Sequence, residues 1–327
     1  NATGWGAFKQ ITVGDNKIDW GNTDYYAYLL GQQTFSNPEA VNINVFVTPG
    51  IDYVNHSNLV ESAVEMIEYN RADSLYICTT PDFNMYVPST SSQLDFIYPQ
   101  EAVDNLAQTG IDSNYSCTYY PWVKIQDTVN NASVWVPPSV VALGVFSNTD
   151  NKAEPWFAPA GFTRGGLTEG RGGIPVVGVS QKLSSKERDT LYENNINPIA
   201  SFPSEGIVIF GQKTLQATAS ALDRINVRRL VIYLKDKVGK ISNRVLFDPN
   251  LQVTWDRFLA QANPLMADTK ARFGLSDYKI VLDNTTTTPD LIDRNIMYAK
   301  IYIKPARAIE FIAIDFIITN TGASFDE

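Results

Sequence analysis

The chain of 327 residues is long enough for two domains and a sizeable core, with 44% hydrophobic and 19% charged residues. Its net charge of −9 argues against broad nucleic-acid binding, and its two cysteines, Cys78 and Cys117, have neither a disulfide framework nor metal-ligand spacing. No stretch reaches a membrane span and no signal peptide is visible, so membrane insertion is not expected.

Residues 1–40 mix Gly, Asn, Asp, Tyr and Trp and read as irregular, packed on the core, apart from a short helix or strand over Tyr25–Leu30. Val41–Val47 alternates Val41, Ile43, Val45 and Val47 with Asn42, Asn44 and Phe46, which predicts a strand ended by Thr48-Pro49-Gly50. Asn58 is placed to cap a helix reaching about Asn70, and Leu75–Cys78 reads as a second strand. Strand, helix and strand in this length predict a βαβ unit with a parallel pair. The first turn lacks a Gly-rich phosphate loop, so no nucleotide or other cofactor is expected. Pro99–Thr109 is predicted helical. Ser116–Ile125 and Val134–Val136 read as a hairpin around Asn130-Asn131, and Ser139–Phe146 as a short helix with a Pro start.

Glu154–Leu167 is too rich in proline and glycine for a helix or strand interior, yet its Trp and Phe side chains demand burial, so a packed connector is expected. Ser184 and Glu187 form a capping-box pattern, predicting a helix that runs to about Asn197-Pro198. Gly206–Phe210 is a short apolar strand. A long helix over Leu222–Val238 follows, then a helix opened by Asp248-Pro249, a strand at Tyr278–Leu282 and a polar turn at Asn284–Pro289.

Met297–Lys304 alternates strictly, so one face is buried and the other wet. After Pro305-Ala306-Arg307, the run Ala308–Thr319 is apolar on both faces. Ile309, Phe311, Ile312, Ile314, Phe316 and Ile318 therefore need cover and are candidates for strand addition with another chain. The chain opens on Asn1 without a Met and closes on Asp326-Glu327, so trimmed ends are expected. The fold class that results is mixed α+β and α/β: an α/β part over 41–150, a packed connector and helix over 151–204, and an α+β unit over 205–327 with helices covering one sheet.

Catalytic signals are weak. The single histidine, His56, excludes a His-based metal cluster and has no nucleophile elbow to serve. Asp283, Asp290 and Asp293 lack calcium-loop spacing, and no carboxylate pair is singled out. The long helix, in contrast, carries Arg224, Arg228, Arg229, Lys235, Lys237 and Lys240 against Asp223 and Asp236. In an acidic chain this is a solvated helix face, a partner-binding face, or a set of internal pairs, with Asp223 or Asp293 as partners for Arg224 and Arg229.

From the connector onward the sequence resembles the contractile tail sheath proteins of tailed bacteriophages, the large-phage type in particular. The segments are Trp156-Phe157-Ala158-Pro159-Ala160-Gly161-Phe162-Thr163-Arg164-Gly165, Leu191–Pro198, Gly206–Thr214, Asp223–Leu230, Ile292–Asn295 and Gly322–Glu327, in that order. The resemblance implies a structural virion protein without enzymatic activity, assembled in the host cytoplasm. Subunits of this family form hexameric rings stacked helically around a tail tube protein, between baseplate and tail terminator proteins. On host contact the sheath shortens and drives the tube through the envelope. The family's terminal arms add strands to neighbours, and the chain looks like a core without them. The family's C-terminal domain faces the tube, which makes the basic helix a candidate tube or subunit contact. A reading from another class, a virion carbohydrate-binding or hydrolytic protein, rests on the Tyr- and Trp-rich N-terminal half.

Overall fold

A computed structural model describes residues 12–13, 17–18, 23–81, 96–127 and 130–310. Its centre is a five-stranded sheet. Strands β1 (Val45–Asp52), β2 (Leu75–Thr79), β3 (Ser116–Tyr120) and β7 (Ile196–Phe202) run parallel, and β8 (Gly206–Ile209) closes the sheet antiparallel to β7; the order is β8-β7-β3-β2-β1. Every residue of β2 and β3 is buried, as a sheet covered on both faces requires.

On one face, α1 (Thr23–Phe35), α2 (Ser57–Glu65), α3 (Pro99–Thr109) and α5 (Ser185–Glu193) enclose a core containing Tyr53, Leu59, Tyr76, Cys78, Leu106, Tyr120, Leu191 and Ile196. On the other, α4 (Pro138–Lys152) and the first turns of α6 (Ile225–Asn243) cover Leu75, Ile77, Cys117, Tyr119, Ile199 and Ile209. The alternation along β2 thus sorts Tyr76 and Cys78 to one core and Leu75 and Ile77 to the other. A three-stranded antiparallel sheet, β5-β4-β6, flanks the second core with β4 (Val123–Asp127), β5 (Ala132–Val136) and β6 (Val176–Val179).

The predicted parallel pair, the Pro99–Thr109 helix and the Ser184–Glu187 capping box are all present. Other boundaries move for physical reasons. Thr48-Pro49-Gly50 does not stop β1: Gly50 takes φ of 87° and the register slips between Val47 and Asp52, so the chain bulges and continues. His56, not Asn58, occupies the cap position of α2, which runs on as a π-helix over Met66–Arg71. The buried Arg71 guanidinium there donates to the Phe35 and Val41 carbonyls, tying α1 to the sheet edge. Ser116–Ile125 is two strands in two sheets, parted at Pro121-Trp122, and α4 runs well past Phe146. Ile196-Asn197-Pro198 is not a helix end but the middle of the sheet. Asn197 uses its side chain to bridge neighbours there, donating to the Thr118 and Lys213 carbonyls and accepting from the Lys213 amide.

Gly206–Ile209, read as opening the C-terminal unit, belongs to the central sheet. That unit is built instead from α6, α7 (Gln252–Ala271), and the antiparallel pair β9 (Leu275–Val281) and β10 (Lys300–Pro305). Leu230, Leu234, Trp255, Phe258, Ala262 and Met266 bury one face of the pair. The connector is packed only in part: Trp156 and Leu167 are buried, Phe157 is half-buried and Phe162 stays exposed. Trp156 is buried against Tyr233, and its indole N–H donates to the Arg272 carbonyl at the end of α7. The Asn226 side chain, at the start of α6, reaches the Trp156 carbonyl, so α6 and α7 form an antiparallel hairpin clamped at its open end.

Candidate interaction surfaces

The basic helix divides into two halves with different roles. Arg228 and Arg229 are only 3% and 4% exposed, so they do not form the solvated cationic face that their spacing suggests. Arg229 donates from Nη2 to both carboxylate oxygens of Asp150, at 2.7 and 2.6 Å, beside the Phe146 ring. Arg228 lies over the Tyr115 ring, 3.2 Å from its centroid. Burial pushes its guanidinium down to about 10, partly opposed by Glu68. Arg224 precedes the first helical residue and pairs with Asp223 at 3.0 Å and Glu310 at 2.6 Å. Of the two partners anticipated, Asp223 is found. Glu310 takes the place of Asp293 for Arg224, and Asp150 takes it for Arg229. Sequence reading missed Asp150, Glu310 and Tyr115 because they lie at least 79 residues away along the chain.

The lysine half faces outward. Lys235 and Lys240 are exposed and Lys237 is half-buried. Lys235 reaches the Tyr115 hydroxyl at 3.3 Å, Lys237 lies over Tyr233, and Lys240 pairs with Asp236 one turn back. These are surface contacts of small energy, on the order of 0.5 kcal/mol for the exposed i,i+4 pair, so the lysines stay available to a partner.

The pair β9–β10 forms the second surface. Met297, Ala299, Ile301 and Ile303 turn inward while Tyr298, Lys300, Tyr302 and Lys304 are exposed, as the alternation predicts. Only two strands make this sheet, so among the described residues both outer edges lack a strand partner, a template for addition. Beyond Pro305 the strand stops. Ile309 is 83% exposed, and Phe311, Ile312, Ile314, Phe316 and Ile318 lie outside the described residues.

The residues that would signal chemistry lie buried or within turns. His56 is buried with Nδ1 3.4 Å from Asp52. Burial pushes the Asp52 carboxyl up, but bonds from His56 and Asn55 outweigh it and hold it below its ordinary value. Cys78 and Cys117 are buried, and burial pushes both thiols up, away from reactivity. Tyr53, Tyr76, Tyr119 and Tyr120 are fully buried, so much of the N-terminal aromatic content is core and not a stacking platform. Asp283 accepts from the Thr285 amide and hydroxyl within its own turn. Among the described residues no group of three or more His, Cys, Asp or Glu is placed to hold a metal, and no helix is long and apolar enough to cross a membrane.

Residues 217–319 match the family described as the phage tail sheath C-terminal domain. The likeness extends well beyond that segment. The tail sheath protein of Enterobacteria phage T4 is 31% identical over 330 aligned residues, which cover 97% of this chain and 46% of the relative. The tail sheath protein of Vibrio phage KVP40 is 30% identical over 92% of this chain and 45% of its own length.

The chain is homologous to phage tail sheath proteins.

This sheath homologue spans about half the length of the relatives it matches. Solved structures share its fold. The sheath complex of an extracellular contractile injection system, PVC, in the contracted state superposes with a TM-score of 0.68 at 22% identity, over 88% of this chain and 74% of that one. The anti-feeding prophage helical sheath in the contracted state gives 0.67 at 21% identity, over 92% and 76%. The mixed fold of a βαβ-containing core and a helix-covered C-terminal sheet is therefore a sheath fold.

Proposed function

We propose that this chain is the core of a structural subunit of a contractile tail sheath in a phage virion. The observation that carries the proposal is the continuity of the likeness: about 30% identity to tail sheath proteins runs through more than nine-tenths of the chain. Copies would stack as rings around a tail tube, between baseplate and terminator, and contraction would drive the tube through the host envelope.

The geometry suits a subunit that moves as a rigid body. Three ties lock the C-terminal hairpin to the α/β core: Arg229 on Asp150, Arg228 on Tyr115, and Trp156 on Arg272. Energy is then stored between subunits of an extended lattice and released as they repack, with no nucleotide or catalytic group taking part. Connectivity during that movement would come from strand addition at the free edges of β9–β10, with the apolar run after Ile309 as donor.

The tube contact falls to Lys235, Lys237 and Lys240, since the three arginines are committed within the chain. Full-length protein mixed with purified tail tubes is expected to coat them with an ordered sheath in electron micrographs. Lys235→Glu, Lys237→Glu and Lys240→Glu together are expected to cut tube coating about tenfold at low salt, with less effect as salt rises. Unchanged coating would remove the lysine face from the contact. Absence of any coating by the unsubstituted protein would overturn the sheath proposal.

A further inference from the structure

Past β10 the chain leaves the C-terminal pair and crosses to the segment that follows β8. The Ala306 amide donates to the Gly274 carbonyl at the start of this crossing. At its far end the Glu310 carboxylate accepts from Arg224 Nε at 2.6 Å and from Gln212 Nε2 at 3.0 Å. Arg307, Ala308 and Ile309 between them are exposed, whereas Glu310 is half-buried with its side chain turned in. Residues 306–310 therefore form a strap, pinned at one end by a backbone bond and at the other by a charge-assisted pair.

A cavity of about 680 Å³ runs along this strap, lined by Phe157, Phe162, Phe210, Gln212, Asn226 and the strap itself. Phe162 packs edge-on to Phe202 and tilted on Phe210, with ring centroids 5.1 and 5.7 Å apart, which forms an aromatic wall. Gln212 and Asn226 are 4% and 5% exposed, and among the described residues the amide oxygen of each lacks a donor. Leaving such an acceptor buried and unpaired is costly, so the cavity favours an occupant with both apolar side chains and N–H groups. The chain's own continuation has that chemistry. The strap lines the cavity through Glu310, and the sequence goes on with Phe311, Ile312, Ile314, Phe316 and Ile318. A segment tethered at the cavity wall also competes at high effective concentration against any untethered occupant.

We propose that in the unassembled subunit the run that begins at Phe311 docks in this cavity of its own chain, with the Arg224–Glu310 pair fixing where it enters. Glu310 is turned inward, so period two puts Ile312 and Ile314 on the same inward side, and the backbone N–H groups reach the Gln212 and Asn226 oxygens. The inference rests on the sheath-subunit reading, in which the same run adds to the β9–β10 pair of a neighbour. A run held in its own cavity is not available to that neighbour. Docking thus covers a sticky strand until assembly draws it out, and assembly proceeds only as fast as the run is released.

The test uses full-length protein kept below the concentration at which it assembles. A thiol placed by Ile312→Cys reports on the run, because the native Cys78 and Cys117 are buried and unreactive. Its labelling by a maleimide is expected to be at least about tenfold slower than that of Leu30→Cys, an exposed control. Adding Phe162→Asp, at a partly exposed position of the aromatic wall, is expected to keep the melting temperature and bring labelling up to the control rate. Phe162→Asp alone is expected to speed assembly in the absence of tubes. Fast labelling of Ile312→Cys from the outset would overturn the proposal. So would slow labelling that Phe162→Asp leaves unchanged, since the run would then be covered somewhere other than the cavity. Assembly at an unchanged rate despite restored labelling would overturn the competition between cavity and neighbour. Both labelling results in a protein that never assembles would leave the docking standing and defeat the sheath reading instead.

Discussion

Gly144→Val is expected to destabilise the fold by about 3 kcal/mol, or to prevent folding, although it replaces a helical glycine with a residue that is common in cores. Gly144 sits mid-way along α4, where glycine ordinarily costs about 1 kcal/mol against alanine. A Cβ at this position would overlap the carbonyl of Gly172, a backbone atom that cannot swing aside. The connector from Gly165 to Gly173 therefore rests directly on α4, and it carries the wholly buried Leu167 into the second core. A valine would lift the connector, expose Leu167 and open a void beside Val141. Urea denaturation followed by far-UV circular dichroism measures the effect; a loss below about 1 kcal/mol would mean that the connector is not seated on α4 as described.

Asp150→Ala is the second large effect, also about 3 kcal/mol. Its partner Arg229 is buried and, among the described residues, pairs with no other carboxylate, so removing Asp150 leaves a guanidinium in the core beside the Phe146 ring without that counter-charge. Asp150 itself is partly exposed, which places the figure at the low end for a broken buried pair. The double variant Asp150→Ala with Arg229→Met is expected to recover most of the loss, because the stranded charge leaves with its partner. If the double variant is as unstable as the single one, the pair is not what the site requires. The same result would test the division of the basic helix, since an arginine that holds α6 to α4 is not free to hold a tube.

Sequence made the locally determined parts legible. Pro99 at the first helical position and Gly110 in the left-handed region bracket α3 to the residue, and Ser184 with Glu187 places the start of α5. The inward and outward residues of Met297–Lys304 follow from period two alone. Parts set by distant partners were not legible. Asn197-Pro198 looks like a helix stop until β3 and the Lys213 segment are placed on either side of it. The charge on α6 can be counted from sequence, but its burial depends on Asp150, Tyr115 and Glu310, which only the fold brings near.

In the proposed sheath role, subunits built on this core shorten their lattice by moving as rigid bodies. Helical reconstruction by electron cryomicroscopy of tubes assembled from the full-length protein, before and after contraction is triggered, tests it most directly. A shorter and wider tube is expected after contraction. Within each subunit, the central sheet and the α6–α7 hairpin should superpose on themselves in both states, with Arg229 still on Asp150 and Trp156 still on Arg272. A tube that changes length by bending the subunit between sheet and hairpin, breaking those ties, would contradict it.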